Sequence, residues 1–201
     1  MNYCKLVTQD LKTHNQFQWE LGKKETIKTT GGELCSSDFF HYYSDPLLSV
    51  FLNPIHADIE NPRLFLVDVV GETLSDRGLK LGSKELTLIK EIDLPEVTLN
   101  QRIAFGILCA LGVSKEPEFV LWANGWLDGS DRSSVAARAA AKQAARAATR
   151  AARAADAADY AAAAAADAAD YAAARAADAA QAAADAANLD LISLANKALT
   201  Y

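Results

Sequence analysis

The chain reads as an α+β protein: a small β-rich N-terminal domain, short helices, a long alanine-rich helix (continuous or folded as a hairpin) and a short C-terminal helix. Three observations predict it. Residues 1–130 mix Leu, Ile, Val, Phe and Trp with turn residues and hold only four alanines. Residues 136–187 then spend 35 of 52 positions on alanine, with no Gly and no Pro. After Asp190, a residue suited to capping a helix, Leu191, Ile192, Leu194, Ala195 and Leu199 restore apolar side chains. The boundaries fall as a globular α+β domain over 1–95, a helical connector over 96–130 and an alanine-rich helical domain over 131–201.

In chain order, residues 3–8 and 16–21 predict two strands, and the polar 10–15 between them suggests a hairpin or meander. Gly31-Gly32 marks a turn. Ser44 or Asp45 can cap a helix that starts at Pro46, runs through Leu47, Leu48, Val50 and Phe51, and stops at Asn53-Pro54. Residues 64–70 predict a buried strand ended by Gly71, and 80–83 a turn or short strand. In residues 85–92, Leu86 and Leu88 face one side while Thr87, Ile89 and Glu91 face the other. Thr98-Leu99-Asn100-Gln101 has the form of a capping box for a helix through Ile103, Ile107, Leu108 and Leu111, closed by Gly112. Pro117 opens another helix carrying Phe119, Val120, Trp122, Trp126 and Leu127, closed near Gly129. Ser130 or Ser133 then caps the alanine-rich stretch.

At about 100° per residue, the polar residues of 136–187 fall in a sector of roughly 180°, opposite a face of methyl groups. Asp156, Asp167 and Asp178 repeat every eleven residues, as do Tyr160 and Tyr171. Eleven residues make about three turns, so the phase holds along a nearly straight helix. A single helix is the simplest reading, with a length of roughly 80 Å. The charges are ordered: Arg138, Lys142, Arg146, Arg150 and Arg153 come first, and Asp156 to Asp185 follow with only Arg175 opposing. That order suits antiparallel pairing, either of two copies in a homodimer or of two halves of a hairpin bending near 161–166. No Gly, Pro or Asn marks such a bend.

Composition excludes several classes. Residues 1–130 carry 12 Lys and Arg against 18 Asp and Glu, and residues 131–201 carry 8 against 8, so no basic nucleic-acid footprint exists. Cys4, Cys35 and Cys109 are odd in number and scattered, without zinc spacing, as expected of reduced thiols in a cytoplasm. No apolar run has the form of a signal peptide or a membrane span. No glycine-rich phosphate loop and no nucleophile elbow is present. The sequence therefore assigns no catalytic residue, no metal and no cofactor.

Two groups of residues remain as candidate sites. Tyr160 and Tyr171, with Arg146, Arg153, Asp167 and Asp178, form the polar stripe of the alanine helix, where exposed tyrosines suit protein contacts. His41 and Tyr43, in the aromatic run Phe39–Tyr43, could line a ligand pocket, although a hydrogen-bonded structural histidine is the commoner outcome. Ser36-Ser37-Asp38 reads as a turn, and Trp122 and Trp126, one helical turn apart, as core.

The segment ELCSSDFFHYYSDPLL at 33–48, the strand at 63–70 and SKELTLIKEIDL at 83–94 resemble an uncharacterised family of phage and prophage proteins. In that family a Gly-Phe-His stands where this chain has Asp38-Phe39-Phe40, with His41 one place later. The stretch 122–133 resembles phage proteins that continue into alanine-rich helices and, more distantly, alanine-rich proteins described as immunity proteins. The resemblance implies a phage or mobile-element origin. It leads to the expectation of a non-enzymatic accessory protein in a bacterial cytoplasm, acting through a protein partner: a second copy, a host protein or a defence protein. Neither membrane nor nucleic acid is expected as a partner. The alternative is a small ligand-binding or enzymatic domain built around His41 and Tyr43.

Overall fold

The computed structural model describes residues 3–29, 31–139, 157, 160–165 and 169–201. The class is α+β, with every described strand between residues 4 and 92. Two compact units divide the chain, Met1–Glu96 and Val97–Tyr201.

Unit 1 contains β1 (Cys4–Val7), β2 (Lys12–Thr13), β3 (Phe17–Gln18), β4 (Lys24–Thr26), β5 (Phe40–Tyr42), α1 (Pro46–His56), β6 (Arg63–Val70), β7 (Leu74–Asp76), β8 (Lys80–Ser83) and β9 (Glu85–Ile92). The main sheet is antiparallel in the order β1-β6-β9-β4, and a second sheet runs β5-β8-β7. The predicted hairpin between 3–8 and 16–21 is replaced by a smaller one. β1 pairs with β6, while Lys12 faces Gln18 and Thr13 faces Phe17 in the β2–β3 hairpin. Burial explains the exchange. All four β1 residues are buried, and the apolar β6 offers them a core partner that the polar residues around Gln16 and Gln18 do not. Thr8 turns the chain away, its N–H donating to the Lys12 carbonyl and its Oγ1 accepting from the Lys12 N–H at 2.8 Å.

The predicted alternation of β9 holds for Leu86 and Leu88, which are fully buried. Opposite Leu66 and Val67 the register slips by one, which leaves Ile89 without a facing residue on β6. One apolar cluster joins Val7, Trp19, Phe40, Tyr42, Phe65, Val67, Leu86 and Leu88. Full burial of each large apolar side chain contributes about 1.5–3 kcal/mol.

Asp45 caps α1, its carboxylate accepting from the Leu47 and Leu48 N–H groups, and Pro46 takes the first turn. The helix does not stop at Pro54 as predicted; it runs to His56. Proline lacks one donor, but only two residues of helix follow it. Asn53 holds that end together, its carbonyl accepting from Ala57 and Asp58 and its side chain bonding both backbone groups of Ile59.

Unit 2 contains α2 (Leu99–Val113), α3 (Pro117–Leu127), α4 (Ala169–Ala186) and α5 (Leu191–Ala198), with residues 134–139 and 160–165 also helical. The stretch read as a connector is its central helix. Ile103, Ala104, Phe105, Gly106, Ile107, Leu108, Cys109 and Ala110 are buried in succession, so α2 is covered on every side. The capping box forms as predicted, with Gln101 N–H donating to Thr98 Oγ1 at 3.2 Å and Thr98 N–H to Gln101 Oε1 at 2.9 Å. Gly112 does not close the helix by a left-handed turn; it makes room for Leu189, whose Cδ2 would lie 2.9 Å from a Cβ there.

The methyl face of α4 covers α2. Ala172, Ala176, Ala179, Ala180, Ala183 and Ala184 are buried, with Gly106 the point of closest approach. Gly106 meets Ala176 and Gly112 meets Leu189, so α4 runs in the same sense as α2. α5 returns along it, and Gln101 Nε2 donates to the Leu199 carbonyl. The apolar C-terminal stretch thus docks within its own unit through Leu191, Ala195 and Ala198.

A single straight helix through the alanine stretch is overturned by one contact. The Arg175 guanidinium carbon lies 5.5 Å from the centre of the Tyr160 ring. Fifteen residues of α-helix rise about 22 Å, beyond the combined reach of the two side chains. One helix therefore does not run unbroken from Tyr160 to Arg175, and the bend that the hairpin alternative put near 161–166 is not found in 160–165, which are helical.

Candidate functional site

A cavity of about 690 Å³ opens in unit 1. It is walled by β1 (Lys5, Leu6), the β2–β3 hairpin (Thr13, His14, Asn15, Phe17), the loop before β5 (Cys35, Ser36, Ser37, Phe39), β5 itself (Phe40, His41) with Tyr43, the end of α1 (His56, Ala57), and Lys80 of β8. Ile27 and Ile59 complete it.

Backbone pairing brings these parts together. The Cys4 and Tyr43 backbones exchange two hydrogen bonds at 2.9 and 2.8 Å, which sets β5 beside β1. Lys5 then reaches across, and its Nζ donates to the His41 carbonyl at 2.6 Å while lying 5.1 Å from the Trp19 ring. On the far side β5 pairs with β8, placing His41 opposite Gly82. A Cβ at Gly82 would collide with the Leu34 side chain and crowd Phe39, so this glycine lets the loop before β5 lie against the strand. Asn15 and Gln16 sit at φ 58 in the hairpin, and such left-handed non-glycine residues gather where a site shapes its backbone.

Electrostatically, the walls are one-sided. Lys5 is 7% exposed, and burial pushes its ammonium down to about 7. Burial also holds His41 below the usual histidine range, against the Leu34 carbonyl that accepts from its Nε2, and the charges of Lys5, Lys80 and His14 push the same way as burial. The Tyr43 phenol is pushed up by burial and by Cys4; its hydroxyl meets His56 Nδ1 at 3.4 Å and the two rings stack. Lys80 has a long ion pair with Asp76 at 3.8 Å. Ser36 is engaged in its own turn, donating to the Glu33 carbonyl and accepting from the Asp38 N–H, as its sequence context suggests.

His41 and Tyr43, paired in the sequence reading, both line this cavity. Tyr160 and Tyr171 are not equivalent: Tyr160 is half-buried under Arg175, and Tyr171 is 68% exposed. Asp178 is half-buried, with its carboxyl pushed up by desolvation and opposed by Arg175. Arg146, Arg153 and Asp167 lie outside the described residues. Sequence reasoning missed Lys5, His14, His56 and Lys80. The available signal was a lysine inside the apolar run Cys4–Val7.

Among the described residues no cluster of His, Cys, Asp and Glu could hold a metal, and no helix is long and apolar enough to cross a membrane. No curated protein and no solved structure matches the chain. Residues 1–100, the whole of unit 1 and the start of α2, match the family model described as Domain of unknown function (DUF7666), so the cavity lies within the part of the chain similar to that family.

Proposed function

We propose that unit 1 is a binding domain for a small organic ligand, taken up in the cavity at Lys5, His41 and Tyr43. The carrying observation is the cavity itself. Its volume falls in the range of roughly 300–1,000 Å³ of small-molecule sites, and its lining has their usual mixture, aromatic walls with a few convergent polar groups. The test is titration of the full chain with phenylnaphthylamine, a neutral apolar dye, followed by amide chemical shifts. Saturable one-site binding with shifts centred on Lys5, His14, His41 and Tyr43 supports the reading. Absence of binding by both this dye and its sulfonated counterpart, anilinonaphthalene sulfonate, or shifts confined to residues 97–201, overturns it.

A second reading rests on Tyr171, which is exposed together with Arg175 one turn further along α4. In that reading the protein is a non-enzymatic, phage- or prophage-encoded accessory protein in a bacterial cytoplasm. Its helical unit grips a host or anti-phage defence protein. Removing residues 136–201 is a poor test, because it would strip α2 of its cover. Loss of a purified host complex on Tyr171→Ala, with thermal stability unchanged, supports it, and an unchanged complex counts against it.

A further inference from the structure

We propose that the cavity of unit 1 selects an oxyanion, a carboxylate, phosphate or sulfate group carried on a flat aromatic body, with Lys5 as its counter-cation. The proposal rests on the reading of the cavity as a ligand site and names the chemistry that the site prefers.

Unit 1 is an acidic unit with a basic cavity. Met1–Glu96 holds 10 Lys and Arg against 15 Asp and Glu. Yet the cavity lining includes two lysines and three histidines and, among the described residues, no Asp or Glu. Lys80 is partly answered by Asp76, but Lys5 has no carboxylate within ion-pair distance among the described residues. An ammonium has three donors, and the described residues supply one acceptor for Lys5, the His41 carbonyl. Burying such a group without an opposite charge is costly, and an anion beside it offsets part of that cost. The neighbours sharpen this: Lys5, His14 and Lys80 all act on His41 with the same sign, so an oxyanion among them relieves every pair at once.

The rest of the wall specifies the body of the ligand. Phe17 and Phe40 lie 5.2 Å apart with their rings tilted, and Phe39 completes an aromatic side. Such rings receive a flat apolar group by stacking or edge contacts. The Lys5 end and the Phe17–Phe40 side together describe an aromatic acid.

Two dyes test the proposal on the full chain: anilinonaphthalene sulfonate, an aromatic anion, and phenylnaphthylamine, its neutral counterpart. At about pH 6, below the value of about 7 at which Lys5 gives up its proton, the sulfonate should bind one site at least about tenfold more tightly than the neutral dye. Lys5→Met should lower the sulfonate affinity about tenfold and leave the neutral dye within about twofold. Binding of the neutral dye with no sulfonate preference, or a sulfonate affinity untouched by Lys5→Met, overturns the anion proposal and leaves the cavity reading standing. Failure of both dyes overturns the two together. Should Lys5→Met not fold, Lys80→Gln carries the same readout: a weaker sulfonate with an unchanged neutral dye supports the proposal, and an unchanged sulfonate overturns it.

Discussion

Gly106 of α2 and Ala176 of α4 meet backbone to backbone: a methyl group on Gly106 would lie 2.9 Å from the Ala176 Cα and carbonyl oxygen. Only a residue without a Cβ permits this approach, and it sits in the middle of a helix that is buried all round. Alanine is normally the better helix former by about 1 kcal/mol. Here the clash wins, because the atoms met are Ala176 backbone and cannot swing away. Gly106→Ala is expected to destabilise unit 2 by about 1–3 kcal/mol in urea denaturation. Gly125→Ala is the control. Its Cβ would meet only the Ser130 hydroxyl at 3.3 Å, so a neutral or positive change is expected there. Equal effects at the two positions would contradict the close crossing.

Lys5 makes stability depend on pH. Its ionisation is depressed to about 7 in the folded chain, against an ordinary value of about 10.4 when unfolded. Between those values the unfolded chain holds a proton that the folded chain lacks, so stability rises with pH. Below about 7 both states are protonated and the cost is complete and flat. The charges that act on His41 are those of Lys5, Lys80 and His14, and the depressed His41 contributes its rise below its ordinary 6.5 or so. Cys4 acts with the opposite sign at alkaline pH, because burial pushes its thiol up to about 12. The window from about pH 7 to pH 8 therefore isolates Lys5, and stability should climb there by up to about 1.4 kcal/mol per unit. Lys5→Met should remove that slope and raise stability at pH 7. A slope that survives the substitution would show that Lys5 is solvated.

These residues also mark where the sequence stops being legible. Thr98 with Gln101, and Asp45 with Pro46, are readable because a cap is made within four residues. The alternation of Leu86 and Leu88 is equally local. By contrast, Phe40-His41-Tyr42 is too short for its alternation to announce a strand in the aromatic run Phe39–Tyr43, and β5 exists through its pairing with Lys80–Ser83. The burial of Lys5 depends on a backbone bridge between Cys4 and Tyr43, 39 positions apart. Between Tyr160 and Arg175 the sequence holds no turn residue outside the alanine pattern, so the uniform phase of the stripe reads as one rod. What hides in each case is a long-range partner, whereas His41 and Tyr43 stand out in the sequence because aromatic crowding is itself local.

Tyr160 and Tyr171, identical in the eleven-residue repeat, should behave differently on truncation. The Tyr160 ring receives the Arg175 guanidinium, an interaction worth about 0.5–1 kcal/mol where solvent remains near. Tyr171 is 68% exposed. Tyr160→Ala is expected to lower stability by at least that interaction, and Tyr171→Ala to stay within about 0.5 kcal/mol of the parent chain. Thermal melts of the two variants decide it; equal losses would mean that both rings are covered.

Cys35 offers a handle on the cavity that the other thiols do not. It is exposed and lines the wall, whereas Cys4 and Cys109 are buried and their thiols are pushed up, chiefly by desolvation. Alkylation proceeds through the thiolate, so depth and a raised ionisation both protect the buried pair. Iodoacetamide under native conditions is expected to add one group per chain, located at Cys35 by peptide mass. The same position then reports on the site. A bulky maleimide on Cys35 should exclude phenylnaphthylamine from the cavity, while a small methylthio group there should leave the dye bound. Rapid modification of Cys4 would show that the β1–Tyr43 bridge opens readily. Dye binding that ignores the bulky adduct would place the dye outside the wall formed by Cys35, Ser36 and Phe39.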